Sequence, residues 1–150
     1  MVYNEITGDL FEVGSEYYLA HCVSADFKMG AGIAKTFADL GCREELFQLY
    51  PDYNWNVDRH ALWTHLPYPN YKGAIHLVTK ERYFHKPSYL SLATALEDMN
   101  RTWLCRDPDV KLAMPKIGCG LDKLEWDKVR EIIFDVFDNT DVEILVCSLK

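Results

Sequence analysis

Two glycine-bearing segments that lie far apart in the 150-residue chain could together bind a small anion. They are Met29-Gly30-Ala31-Gly32-Ile33-Ala34 and Pro115-Lys116-Ile117-Gly118-Cys119-Gly120-Leu121-Asp122. Each follows an apolar run and precedes an amphipathic one, which predicts a strand, a turn and a helix. Because glycine has no Cβ, backbone N–H groups can approach a ligand closely, and the first turn of a helix adds donors with partial positive charge. The alternative is that these glycines only allow tight turns.

The acidic composition limits the class of ligand that can carry the anion. The chain carries a formal net charge of −7. General affinity for nucleic acid comes from clustered Lys and Arg side chains that displace counterions, so we expect no direct nucleic-acid partner. Backbone amides, more than cationic side chains, are predicted to hold any phosphate.

Cysteine usage and the absence of long apolar runs indicate the compartment. Five cysteines form an odd set without a CxxC pair, which favours a reducing compartment over a disulfide framework or a zinc site. The first residues do not resemble a secretory leader, and no apolar run approaches the roughly 18 residues of a membrane span. We therefore expect an intracellular protein, nuclear or cytoplasmic or both, without a membrane partner.

Short apolar runs alternate with helical patterns along the chain. The predicted strands cover residues 2–6, 17–23, 61–66, 75–79, 110–114 and 142–149. Apolar residues at helical spacing predict helices over residues 30–40, 43–50, 88–105 and 125–138. This alternation predicts an α/β fold, a single three-layer α/β/α domain over residues 1–150 with a central, mostly parallel sheet. Ligands of such sheets bind outside the carboxyl ends of the strands, where both glycine segments would lie.

The residues at these turns resemble the macrodomain family, whose members are ADP-ribose-binding α/β/α modules with a mixed sheet. The resemblance begins with Ile6-Thr7-Gly8-Asp9-Leu10-Phe11 and Ala20-His21-Cys22-Val23-Ser24, and includes the first glycine segment. Thr79-Lys80, His85-Lys86-Pro87-Ser88-Tyr89 and the second glycine segment are similar to the terminal ADP-ribose protein glycohydrolase subgroup, which is ALC-like. Residues 48–72 depart most from the pattern, being longer and richer in aromatics. The resemblance implies ADP-ribose as ligand and product, with no further cofactor and no metal.

The resemblance implies that Lys80 is a nucleophile and Asp122 its partner. The carbon that joins ADP-ribose to an acidic side chain has a carboxylate leaving group, which departs with little help from an acid. A lysine in water has a pKa of about 10.4, so burial or proton transfer to Asp122 would have to supply the neutral amine. Asp122 could then activate water. The alternatives are a solvated lysine at a strand end and a capping box in which Asp122 is the N-cap and Glu125 the third helical residue.

The resemblance also implies which residues hold ADP-ribose. Asp9 would accept a hydrogen bond from the adenine amino group, with Leu10 beside the ring, although a carboxylate after Gly8 is equally typical of a turn. Ser24 would donate to the distal ribose or a phosphate, or satisfy local backbone. Leu149 would pack on the adenine or within the core. The other ligand-binding residues implied are Met29, Gly30, Ala31, Gly32, Ile33, Pro115, Lys116, Ile117, Gly118, Cys119, Gly120 and Leu121.

Other reactive side chains have structural interpretations. His21, His76 and His85 show no metal-site spacing, so we expect His21 in the core or beside the site and the others at the surface or in packing. No base can be assigned to Cys119, for which the resemblance implies a backbone role only. Trp55, Trp63 and the tyrosines of the central loop are expected to pack, and the alternative is that they flank the distal ribose or a protein substrate.

The resulting prediction is a monomeric enzyme that hydrolyses the ester bond between ADP-ribose and acidic side chains of mono-ADP-ribosylated proteins. Its partners would be ADP-ribose and ADP-ribosylated proteins, and O-acyl-ADP-ribose would be a related substrate by the same resemblance. Two alternatives stay open. A reader module would bind ADP-ribose without chemistry, for which the glycine loops suffice, and a scaffold domain would have an empty pocket.

Overall fold

A six-stranded sheet forms the centre of the protein in a computed structural model that describes residues 1–68 and 70–149. The strands are β1 (Val2–Thr7), β2 (Tyr17–Ser24), β3 (Ala61–Thr64), β4 (Ala74–Lys80), β5 (Lys111–Met114) and β6 (Glu143–Ser148). Their order across the sheet is β1-β6-β5-β2-β4-β3. Every neighbouring pair is parallel except β3 and β4. The prediction of a mostly parallel, mixed sheet is confirmed.

Four helices cover the two faces of this sheet: α1 (Gly32–Asp39), α2 (Cys42–Leu49), α3 (Tyr89–Thr102) and α4 (Trp126–Phe137). The apolar stripes of α3 and α4 pack in one buried cluster, whereas Phe37 of α1 and Leu46 of α2 belong to a second cluster on the opposite face. The three-layer α/β/α prediction is therefore confirmed. Among the described residues, no helix combines the length and apolarity that crossing a bilayer requires.

The start of α4 corrects one expectation. Asp122 does not cap this helix, since α4 begins at Trp126 and Glu125 occupies the N-cap position. Lys123 has a φ of +60°, a left-handed conformation that a helical turn cannot contain. The alternative interpretation of Asp122 as part of a capping box is therefore wrong, and its side chain is directed elsewhere.

The loop between α2 and β4 contains the predicted strand, which is shorter than expected and ends at Thr64. Asp98 of α3 holds the beginning of this strand, because one carboxylate oxygen accepts hydrogen bonds from the backbone N–H groups of His60 and Ala61. Gly73 allows the loop to close. Its φ is +108°, and a Cβ there would lie 2.3 Å from the indole nitrogen of Trp63.

A pair of histidines lies in the middle of the sheet. Nε2 of His21 and Nδ1 of His76 are 2.6 Å apart, and Nε2 of His76 shares a hydrogen bond with the Thr64 hydroxyl. Both rings are fully buried, and His21 stacks on Phe37. The prediction that His21 is a core residue is confirmed, and His76 is a packing residue. Burial lowers the pKa of His76 to about 3, and burial followed by the proximity of His76 lowers the pKa of His21 well below its ordinary value.

These buried neutral rings should make the protein sensitive to acid. The unfolded chain binds protons at histidine below about pH 6.5, whereas the folded pair does not, so stability falls as the pH decreases from 6.5 towards 3. At pH 5 we expect His76 alone to account for a loss of about 2 kcal/mol in the free energy of unfolding. Urea unfolding gives the free energy of unfolding at pH 7 and at pH 5. His76→Gln should remove the share of His76 from the difference between these two values, whereas His85→Gln, at an exposed position, should not. An unchanged difference in His76→Gln would contradict this assignment.

Candidate active site

A cleft of about 640 Å³ opens at the carboxyl ends of β5, β2 and β4. It lies where parallel α/β sheets bind their ligands. The lining residues are 22–24, 28–34, 80, 83–86, 115–118 and 120–122. Both glycine segments, which were predicted to share a site, therefore face one cavity.

The first glycine segment leads directly into α1, as predicted. Met29 and Gly32 have φ values of +47° and +61°, so the chain turns sharply before the helix. Ala31 is the N-cap residue and provides no side-chain hydrogen bond to the first turn. The first N–H groups of α1 therefore lack a capping side chain at the edge of the cleft, and a bound anion can serve as their acceptor.

The second glycine segment forms a compact loop before α4. The carbonyl of Gly118 accepts a hydrogen bond from Leu124 N–H, and the carbonyl of Gly120 accepts one from Lys123 N–H. These turns separate the segment from α4, so the segment precedes a helix as predicted, with residues 123–125 between the two. The loop still faces the cleft. Residues 115–118 and 120–122 line it, and Cys119 does not.

Of the glycines in this loop, Gly118 is the one whose replacement should lower the free energy of unfolding most. Its φ is +73°, and an added Cβ would lie 2.9 Å from Leu124 Cδ1. We expect Gly118→Ala to lower the free energy of unfolding by about 1 to 2 kcal/mol, the cost of left-handed backbone for an L-residue. Gly120→Ala is the matched control, because a Cβ at that position would have no atom within 4 Å. Urea unfolding of the two variants should separate them, and equal losses would contradict the strain argument.

Lys80 and Asp122 meet at the floor of the cleft. Lys80 ends β4, its backbone carbonyl accepts a hydrogen bond from Ala25 N–H, and its Nζ lies 2.6 Å from Oδ1 of Asp122. Each side chain retains only 15% of its exposure. The turns at residues 118–124 form in place of a capping box, and they direct the Asp122 carboxylate towards Lys80. The structure thus places an amine and a carboxylate, 42 positions apart, in one ion pair within the cavity.

The thiols of this region are poor nucleophiles. Burial, then the charge of Asp122, raises the pKa of the Cys22 thiol to about 12, and burial also raises the pKa of Cys119. Cys119 instead donates a hydrogen bond to the Ile117 carbonyl, in keeping with a purely local role. Both thiols are therefore protonated at neutral pH.

Asp26 is a positioning residue that sequence reasoning missed. Its carboxylate accepts hydrogen bonds from the Ser24 hydroxyl and from the N–H groups of Lys28 and Tyr83. Partial burial acts to raise the pKa of Asp26, but these hydrogen bonds hold it below the ordinary value. Asp26 thereby connects the first glycine segment to the loop after β4. An acidic residue two positions beyond a strand, typical of turns, was the available signal.

The loop after β4 supplies further residues that were not predicted. Tyr83 and Phe84 line the cleft, are exposed by 54% and 67%, and are in edge-to-face contact. Lys28 lies 5.4 Å from the Tyr83 ring centroid. Lys86 donates a hydrogen bond to the Leu121 carbonyl and so joins this loop to the second glycine segment. Nothing in their sequence spacing distinguished these side chains from ordinary loop residues.

The residues predicted to hold adenine do not line this cleft. Asp9 caps a 3₁₀ turn by accepting a hydrogen bond from Phe11 N–H, Leu10 is buried in the core, and Leu149 is 79% exposed. Asp9 and Leu149 follow β1 and β6, at the same edge of the sheet but beyond β5. Contact of these residues with adenine remains a prediction.

Within residues 1–68 and 70–149, no group of three His, Cys, Asp or Glu side chains has the geometry of a metal site.

Comparisons with known proteins identify relatives over almost the whole chain. ADP-ribose glycohydrolase OARD1 of Homo sapiens is 37% identical over 145 residues, which cover 96% of this chain and 90% of that protein. OARD1 of Bos taurus matches to the same extent. No family model matches the sequence.

Solved structures show the same fold. The macrodomain of Mycobacterium tuberculosis DarG superposes with a TM-score of 0.80 at 20% identity, over 99% of both chains. Thermosipho africanus DarTG in complex with ADP-ribose superposes with a TM-score of 0.76 at 15% identity, over 98% of this chain and 41% of that one. At such identities the likeness concerns the architecture alone.

Proposed function

Because the chain belongs to the macrodomain family of ADP-ribose glycohydrolases, we propose that it hydrolyses the ester bond between ADP-ribose and acidic side chains of mono-ADP-ribosylated proteins. The observation that carries this proposal is the Lys80–Asp122 ion pair at the floor of a cleft built from two glycine loops. A module that only binds would have no need for a partly buried amine held against a carboxylate. The relatives' activity as ADP-ribose glycohydrolases supports the enzyme over the reader and the scaffold.

The two loops suit the diphosphate of ADP-ribose. The uncapped first turn of α1 offers N–H donors on one side, and residues 115–118 and 120–122 form the opposite wall. Lys28 and Lys116 add positive charge at the lining, in a protein whose net charge is −7. This arrangement binds a phosphate mainly through oriented backbone groups, as helix N-termini do. The distal ribose would then lie next to Lys80.

In the first chemical step the Lys80 amine attacks the anomeric carbon of the distal ribose. The proton of the Lys80 ammonium passes to Asp122, whose Oδ1 lies 2.6 Å away, and the neutral amine forms the new bond to carbon. The bond between that carbon and the ester oxygen breaks, and its electron pair leaves with the carboxylate of the modified side chain. Since a carboxylate is a stable anion, no strong acid is needed.

In the second step water replaces the lysine. Asp122 first releases to solvent the proton that it took from Lys80, and then accepts a proton from the water that attacks the anomeric carbon. The Lys80 amine leaves as the carbon–nitrogen bond breaks, and the proton on Asp122 returns to it, which restores the ion pair. The sum of both steps adds one water to the ester, and releases free ADP-ribose and the unmodified acidic side chain. The same pocket would accept O-acyl-ADP-ribose as a smaller substrate.

The leaving group gives a direct test of this mechanism. We expect release of ADP-ribose from a glutamate-linked ADP-ribosyl peptide and at least about 100-fold slower release from the matched serine-linked peptide, since an alkoxide needs a general acid to depart. Chromatographic measurement of free ADP-ribose over time would show the difference. Equal rates on both linkages, or no release from either, would overturn the ester assignment.

We also propose an intracellular setting, in the nucleus, the cytoplasm or both. All five cysteines are free thiols, including the exposed Cys105, which suits a reducing compartment. The partners proposed are ADP-ribose and ADP-ribosylated proteins, for a protein that works as a monomer and contacts neither nucleic acid nor membrane directly.

A further inference from the structure

The loop after β4 contains a closed turn with two aromatic residues at its tip. The N–H group of His85 donates a hydrogen bond to the Arg82 carbonyl at 3.0 Å, and the N–H group of Arg82 donates one to Nδ1 of the His85 ring at 3.3 Å. Tyr83 and Phe84 are the two central residues of this turn. Central positions of turns are usually occupied by Gly, Pro, Asn, Asp or Ser. The turn itself therefore does not explain why two aromatic side chains lie there.

This turn is connected to the chain at both glycine segments. Asp26 accepts a hydrogen bond from Tyr83 N–H at 2.9 Å and another from the N–H group of Lys28, which directly precedes the first segment. On the other side, Lys86 donates a hydrogen bond to the carbonyl of Leu121 in the second segment. These contacts fix the backbone that carries the two rings. Tyrosine and phenylalanine have only two side-chain torsions, so they lose little conformational entropy when a ligand covers them.

Both rings lie at the mouth of the cleft. Tyr83 and Phe84 line the same cavity as Lys80 and Asp122, but they are exposed by 54% and 67%, whereas the side chains of the ion pair are exposed by 15%. Their ring centroids are 5.3 Å apart at an interplanar angle of 86°, so the two rings form one continuous surface. Continuous exposed apolar surface beside a cavity is typical of a binding surface. We call this surface the Tyr83–Phe84 pair.

We infer that the Tyr83–Phe84 pair binds an apolar side chain of the substrate polypeptide, next to the residue that carries ADP-ribose. The inference rests on the proposed hydrolysis, in which the anomeric carbon lies at Lys80. The modified side chain is bonded to that carbon, so the polypeptide has to leave the cleft through its mouth. The pair follows Lys80 by three and four residues. The covalent link keeps the flanking residues close to this surface, at a high effective concentration.

The chemistry of the two rings favours an apolar occupant. Burial of an aromatic ring against an aliphatic or aromatic side chain removes apolar area of both partners from water. Tyrosine and phenylalanine are enriched in protein interfaces for this reason. One flank of the pair is already covered, because Lys28 Nζ lies 5.4 Å from the Tyr83 ring centroid and the His85 ring lies 4.7 Å from that of Phe84. The remaining exposed surface belongs to the rings themselves.

Substrates that differ only in the residues beside the modified glutamate test this inference. Three ADP-ribosyl peptides have leucine, serine or aspartate on both sides of that glutamate, and O-acetyl-ADP-ribose has no polypeptide. The test variant combines Tyr83→Ser with Phe84→Ser, and serine is a residue that turns favour. Leu49→Ser is the matched control, because Leu49 is 48% exposed at the end of α2 and does not line the cleft. A thermal shift with ADP-ribose verifies that each variant is folded.

We expect the kcat/KM of the wild-type protein to be about tenfold higher on the leucine peptide than on the serine or aspartate peptide. In the double variant this preference should disappear, and the ratio of kcat/KM between the leucine peptide and O-acetyl-ADP-ribose should fall about tenfold. Leu49→Ser should retain both the preference and the ratio.

Three results would overturn the assignment of the Tyr83–Phe84 pair while leaving the hydrolysis intact. They are equal wild-type rates on the leucine and serine peptides, a wild-type preference for the aspartate peptide, and an equal loss on the leucine peptide and O-acetyl-ADP-ribose in the double variant. Failure of the wild-type protein to hydrolyse any of the four substrates would instead overturn the proposed function itself.

Discussion

Replacing Lys80 with alanine is expected to abolish hydrolysis while leaving ADP-ribose bound. If Lys80 Nζ forms the bond to the anomeric carbon, its loss should lower kcat on a glutamate-linked substrate by about 10³-fold or more. Binding should persist because the glycine loops hold the diphosphate, and their backbone geometry does not depend on this side chain. ADP-ribose at 100 times its dissociation constant should still stabilise the variant by about 2.7 kcal/mol, measurable as a thermal shift.

Lys80→Arg is the matched control for this variant. Arginine keeps a cation beside Asp122 but cannot be deprotonated, so it preserves the ion pair and removes the nucleophile. We expect Lys80→Arg to be as inactive as Lys80→Ala. Activity near that of the wild type in the arginine variant would show that Lys80 acts as a cation, and substantial activity in both variants would exclude it from the chemistry.

Replacing Asp122 with alanine is expected to stop turnover after the first step. The variant lacks the base that activates water, and a base of this kind contributes about 10²- to 10⁴-fold. Attack by Lys80 remains possible, because its side chain keeps 15% of its exposure and solvent water can take the ammonium proton in place of Asp122. Rapid-quench measurement should therefore show a fast release of the peptide without a matching release of ADP-ribose.

Asp122→Asn separates this role from packing. Asparagine has nearly the same shape and can still accept a hydrogen bond from Lys80, but it cannot take up a proton. It should reproduce the kinetic defect of Asp122→Ala with less loss of stability in urea unfolding. If the asparagine variant turns over at the wild-type rate, Asp122 only positions Lys80.

The architecture could be predicted because the central strands carry their own signal. Residues 17–23 and 75–79 are too continuously apolar for a sheet with one solvated face, and they form the adjacent buried strands β2 and β4. Helices α3 and α4 likewise show apolar residues at helical spacing. Boundaries were harder to predict: α3 stops at Thr102, and residues 104–106 form a separate 3₁₀ turn that hydropathy does not distinguish.

The candidate site was predictable where backbone conformation depends on residue type. Gly32 and Gly118 adopt left-handed φ values that other residues avoid, so glycine marks these turns in the sequence. The capping box at Asp122 failed because Lys123 also adopts a left-handed φ, which a lysine in the sequence does not indicate. Asp26 and Lys86 were missed because their partners, Tyr83 N–H and the Leu121 carbonyl, belong to segments distant in sequence.

The most direct test of a lysine nucleophile is the mass of the protein after reaction. Asp122→Ala incubated with a glutamate-linked ADP-ribosyl peptide should gain the mass of ADP-ribose less one water, and proteolysis should place that gain on the peptide that contains Lys80. The double variant with Lys80→Arg should gain nothing. An adduct on Cys22 or Cys119, or a stalled enzyme without any adduct, would contradict the covalent mechanism.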